Sequence, residues 1–97
     1  MKVSEQQIQQ IQHYFKTKPV LKAFVFGSFA RGEADQYSDI DILVELDYSK
    51  HIGLGFVGMQ QDLEELLHCK VDLVTERSLS PHIRPAVELE KREVYAR

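Results

Sequence analysis

Apolar residues recur along the chain with two different periods, and each change of period marks the edge of an element. Ile8, Ile11 and Phe15 fall at helical spacing. Ser4 followed by Gln7 has the pattern of a capping box, and Val3 with Ile8 has the spacing of a hydrophobic staple. A first helix is therefore predicted from Ser4 until Lys18 and Pro19 end it. Leu21 to Phe26 is a short apolar, aromatic-rich run that reads as a buried strand. Gly27 to Ser38 breaks the pattern, and Asp39 to Leu46 resumes it as a second strand. Phe56, Met59, Leu63, Leu66 and Leu67 share one helical face, which predicts an amphipathic helix lying on a sheet. Val71 to Thr75 reads as a third strand, and Pro85 suits the first turn of a last helix. Val94 and Tyr95 form either a small edge strand or a packing pair, and the charged stretch from Glu88 to Arg97 reads as a solvated helix face. The order predicts an α/β or α+β fold, with helices packed on a short sheet.

Composition narrows the class. Ninety-seven residues suffice for a single small domain, taken as 1–97, and 43% hydrophobic with 28% charged residues is the balance of a chain that folds. A net charge of −3 supplies no broad basic surface, so direct nucleic-acid binding is not expected. No apolar run approaches the ~18 residues that would cross a bilayer, so no membrane role and a cytoplasmic location are expected. Cys69 is the single cysteine, which excludes an internal disulfide and a multi-thiolate metal site, and it is expected to be a buried apolar residue. The four histidines are scattered and read as surface residues.

The chemistry concentrates between Gly27 and Asp41. Asp39 and Asp41 are two apart at the head of a strand, so their carboxylates point the same way at ~6–7 Å spacing. Ile40, Ile42 and Val44 face the opposite side and fix that register by burial. Like charges so placed repel unless a cation lies between them, and hard oxygen donors favour Mg²⁺, with Mn²⁺ as the alternative. Gly27 and Ser28 follow the first strand directly, where backbone N–H groups can cradle an anion. Gly27 permits close approach, Ser28 offers a hydroxyl, and Arg31 can add a charge-assisted contact to a phosphate oxygen. The segment is not a P-loop, because it lacks the Gly-Lys-Ser/Thr ending. Asp72 lies between Val71 and Leu73 in a strand expected to be buried, where a shared metal would offset its cost.

Gly27-Ser28, ten intervening residues and Asp39-Ile40-Asp41, with Arg31-Gly32 inside and Val71-Asp72-Leu73-Val74 downstream, resemble the minimal nucleotidyltransferases of the DNA polymerase β superfamily. The resemblance covers nearly the whole chain. It implies a mixed-sheet nucleotidyltransferase fold in which Asp39, Asp41 and Asp72 are catalytic and hold two Mg²⁺ ions, while Gly27 and Ser28 bind the triphosphate of ATP, beside which the residue reading sets Arg31. It further implies the antitoxin of a two-gene module, which transfers AMP to a tyrosine of an all-helical HEPN-domain partner, in a hetero-oligomer with it. Two other functions stay open: an antitoxin that acts by binding alone, and an adenylyltransferase acting on a small molecule. At single residues, Asp72 could instead cap a loop or pair with Lys70 or Arg77, and Arg31 could be a surface arginine pairing with Glu33 or Asp35. Tyr37 could stack on a base or pack on the domain.

Overall fold

A computed structural model describes residues 3–35 and 38–97. Helix α1 (Glu5–Phe15) begins as its sequence predicts. The Gln7 N–H donates to Ser4 Oγ at 3.1 Å, and the Ser4 N–H donates to Gln7 Oε1 at 2.9 Å, so two end amides that the helix cannot satisfy itself are reciprocally bonded. Then follow β1 (Val20–Phe26), α2 (Gly27–Arg31), β2 (Ile40–Leu46), α3 (Gly55–Leu67) and β3 (Val71–Thr75). A 3₁₀ turn (Glu76–Ser78), α4 (Arg84–Glu90) and β4 (Arg92–Ala96) complete the chain. Pro85 sits in the first turn of α4, where its missing N–H removes no helical bond.

The four strands lie in the order β3-β2-β1-β4. β1 runs antiparallel to β2 and to β4, whereas β2 and β3 are parallel, so the sheet is mixed, as expected for the nucleotidyltransferase fold. Alternation along β2 builds a core on each face. Ile40, Ile42, Val44 and Leu46 enter the larger one, with Ile11 and Phe15 of α1, Ala23 and Val25 of β1, Met59 and Leu63 of α3, and Leu73 of β3. Leu43 enters a smaller core on the other face with Phe24, Phe26, Leu79 and Val87 of α4. Helices α1 and α3 thus cover one face, while α4 and the segment before it cover part of the other.

The C-terminal stretch corrects the sequence reading. It is not one solvated helix face, because α4 stops at Glu90 and β4 takes up the open edge of β1. Val94 and Tyr95 are buried there, with the Tyr95 ring 5.8 Å from that of Phe15. An unpaired strand edge exposes a row of backbone donors and acceptors, and pairing residues 92–96 satisfies them on that side of β1. Cys69 is half-buried rather than buried, and its burial raises the thiol pKa. All four histidines are exposed, as expected. Among the described residues no helix is long and apolar enough to cross a membrane.

The smaller core has few members, and Leu43 is its one wholly inaccessible side chain. Leu43→Ala should cost about 2–5 kcal/mol, the range for truncating a buried leucine. Urea unfolding followed by circular dichroism measures this, and a loss below about 1 kcal/mol would show that this face contributes little to stability.

Candidate active site

The site forms where β1 ends and β2 begins. The chain leaves β1 through Gly27, whose φ of +73° lies in the left-handed region that a side chain disfavours. Space imposes the same choice, since a Cβ built on Gly27 would overlap the carboxylate of Asp41. The five-residue helix α2 follows, pinned by buried Phe29 and closed by Gly32 at φ +74°, whose N–H donates to the Phe29 carbonyl at 3.3 Å. This short turn holds Ser28 half-buried and leaves Arg31 exposed at its end.

Two strand pairings gather the acids. The antiparallel register sets Asp41 opposite Phe26, and the parallel register sets Asp72 opposite Asp41. The Ile40 N–H donates to the Lys70 carbonyl at 2.9 Å and anchors the start of the parallel pair. Asp41 is half-buried on the face that carries Leu43. Asp39 lies one residue ahead of β2 and is exposed, so it belongs to the entry of the strand rather than to its ladder.

Asp72 is exposed and not buried, which corrects the sequence reading. β3 is an edge strand, and its helix cover falls on the side of Val71 and Leu73, leaving the Asp72 side open to water. Among the described residues Asp72 forms no ion pair with Lys70 or Arg77. Gln36 and Tyr37 lie outside the described residues, and with them the base-stacking reading of Tyr37.

The field at Asp41 is strongly negative. Burial, then the neighbouring charges of Asp72 and Asp39, push its pKa up to about 6; Arg31 opposes this and Glu90 adds to it. Among the described residues no three acidic, histidine or cysteine side chains close into a finished ligand set. The donor chemistry nevertheless fits a hard divalent cation, because it is all carboxylate and the repulsion lifting Asp41 is what such an ion would remove.

One residue of the site was missed by the sequence reading. Glu90 Oε1 accepts from the Gly27 N–H at 3.1 Å, and Glu90 Oε2 accepts from Arg31 Nη1 at 3.0 Å. Arg31 Nε also donates to Glu33 Oε2 at 3.2 Å, the surface pairing that had been the alternative for this arginine. Glu90 first, and then Glu33, hold the guanidinium above its ordinary pKa. Gly27, Arg31 and the three aspartates therefore meet at one end of the sheet. A surface cavity of about 590 Å³, lined by Lys16, Lys18, Lys50, His51 and Arg97 among others, lies at the opposite end of β1.

These features find close counterparts. Residues 5–94 match the nucleotidyltransferase domain family, and the chain belongs to it. The protein adenylyltransferase MntA of Thermococcus cleftensis is 44% identical over 63 residues, covering 65% of this chain and 63% of that protein. The chain spans about two thirds of the length of such curated relatives. A solved structure described provisionally as a minimal nucleotidyltransferase superimposes with a TM-score of 0.76 at 32% identity, covering 95% of both chains. The MNT antitoxin from Shewanella oneidensis, solved in complex with a tri-AMPylated HEPN toxin, superimposes with a TM-score of 0.69. At 21% identity, over 96% of this chain and 72% of that one, it speaks for the fold alone.

Two outcomes follow from this geometry. A carboxyl held protonated up to about pH 6 favours the folded state while protonated, since the unfolded chain releases that proton near the ordinary value of 3.8. Metal-free stability should therefore fall as pH rises from about 4 to about 6 and stay lower above. Asp41→Asn, measured with chelator, should melt higher by several degrees at pH 8 and equally at pH 4, on the order of 1 kcal/mol after discounting for solvent screening. A melting difference that does not change with pH would contradict this origin. Gly27→Val should destabilise by about 1–3 kcal/mol or more and abolish nucleotide binding, whereas Ser28→Ala, which leaves the backbone amides in place, should weaken binding only modestly. Calorimetry with Mg-ATP gives the order, and the reverse order would argue against a phosphate site at this turn.

Proposed function

We propose that this chain, as one nucleotidyltransferase domain over residues 1–97, transfers AMP from ATP to a hydroxyl of a helical HEPN-domain protein and so acts as its antitoxin in the cytoplasm. The acceptor side chain in this reading is a tyrosine. The observation that carries the proposal is the pairing of Asp41 with Asp72 across parallel strands, with Asp39 beside them, at the mouth of the Gly27–Arg31 turn. The name of the Thermococcus relative, a protein adenylyltransferase, supports the reaction, and the fold shared with the Shewanella antitoxin is compatible with a HEPN partner.

Asp39, Asp41 and Asp72 would hold divalent cations, Mg²⁺ or Mn²⁺. When bound, such ions neutralise the triphosphate and make the acceptor hydroxyl more acidic. The Gly27 amide, the Ser28 hydroxyl and the Arg31 guanidinium orient the phosphate tail. In this reading Asp72, open to water at the sheet edge, accepts the proton of the arriving hydroxyl, whose oxygen attacks the α-phosphorus as pyrophosphate leaves. Positioning an acceptor can supply about 7–11 kcal/mol of a barrier. In this reading the acceptor arrives oriented on its own protein.

The test is the intact mass of the neighbouring-gene product, a HEPN-domain protein in this reading, after incubation with the chain and ATP. One or more AMP units should be added, and none with chelator or with Asp41→Asn or Asp72→Asn. A partner neutralised without any change in mass would favour antitoxin action by binding. Efficient adenylylation of a free small alcohol, with no adduct on protein, would favour a small-molecule acceptor.

A further inference from the structure

Two of the three donors that the proposed function gives to the triphosphate are already in use. The backbone amide of Gly27 and the guanidinium of Arg31 each point to a different oxygen of the same carboxylate, that of Glu90. A planar anion bridging a backbone amide and an arginine is what two oxygens of one phosphate would do in its place. We propose that Glu90 is a resident anion of the nucleotide site, seated on the Gly27 amide and Arg31 where a phosphate of the incoming triphosphate must sit, and displaced when the nucleotide binds. The inference rests on the reading of this turn as a phosphate cradle.

Three features make Glu90 suited to leave. It is the last residue of α4, and the helix is held to the smaller core by Val87, so its side chain can swing without disturbing packing. Its side chain is 22% exposed and that of Arg31 44% exposed, so water is available to the carboxylate along the way out. The Lys91 N–H donates to the Val87 carbonyl at 2.8 Å, which keeps the backbone at this corner fixed while the side chain moves.

Charge supplies the reason that the exchange matters. With Glu90 seated, Arg31 is flanked by Glu90 and Glu33, and the carboxylates of Asp39, Asp41 and Asp72 stand nearby. A triphosphate entering this field is repelled. Withdrawal of Glu90 removes one negative charge and frees one face of the arginine in a single movement. Glu90 therefore sets nucleotide affinity, and its effect belongs in Kd and KM more than in kcat.

The experiment measures binding of inorganic tripolyphosphate with Mg²⁺ to the full chain by calorimetry, followed by KM and kcat for ATP. E90Q should bind about three- to fivefold tighter, the scale of a partly exposed ion pair. E90D, whose carboxylate falls short of both donors, should also bind tighter than wild type. Much of the E90Q gain should vanish in the R31A background, and the fall in KM should exceed any change in kcat. A gain in affinity cannot come from a chain that fails to fold. Unchanged or weaker binding by both E90Q and E90D, with wild type binding normally, overturns the resident-anion role and leaves the proposed function standing. If wild type and variants all fail to bind both tripolyphosphate and Mg-ATP, the cradle reading falls and this inference with it.

Discussion

The register of β2 governs the rest of the structure. This strand is paired on both edges and packed on both faces, so each of its residues has one place to go. A slip of one residue would turn Ile40, Ile42 and Val44 out of the larger core and drive Asp41 into it. Burying an unpaired carboxylate there would cost far more than any local adjustment could recover. The same register then does two further things. Across the antiparallel edge it brings Asp41 against the Gly27 turn, and across the parallel edge it brings Asp41 beside Asp72. Three parts of the site thus follow from one packing decision.

That arrangement opposes stability locally. The end of β2 collects carboxylates that repel one another, and Gly27 holds a backbone conformation open to few residues. The two cores on either side of the sheet offset this, since the charges sit where the apolar rows of β2 and β3 run out. Clusters of like charge are commonly among the least stable parts of a fold, because their mutual repulsion disfavours the compact state. Here the protein confines the repulsion to one end of the sheet, where Asp39 and Asp72 remain in water.

The corner between α4 and β4 connects the opposite edge of the sheet to the same place. β4 can pair with β1 only if α4 ends before Arg92, and ending at Glu90 brings a carboxylate onto the Gly27 amide. Pairing at the outer edge, burial of Val94 and Tyr95, and occupation of the Gly27 turn by Glu90 are parts of one construction. The turn is therefore held from both sides, by Asp41 of β2 and by Glu90 of α4.

Much of this was legible in the chain because local rules carried it. The Ser4 and Gln7 pair marked the first helix, the apolar period marked α3, and the spacing of Gly27, Ser28, Asp39, Asp41 and Asp72 marked the candidate chemistry and the family. Alternation on β2 also separated Asp41 from the core residues beside it. What the sequence left open depended on contacts between distant segments. Asp72 is exposed because β3 is an edge strand with its helix cover on one side, and strand order is not written in any single strand. Residues 92–96 form a strand because β1 has an edge to fill. Glu90 meets Gly27 across 63 positions and Arg31 across 59, and nothing in a charged stretch of sequence shows which acid will turn inward. Periodicity and spacing act over a few residues and can be read directly, whereas edges, cover and long-range ion pairs exist only once the sheet has closed.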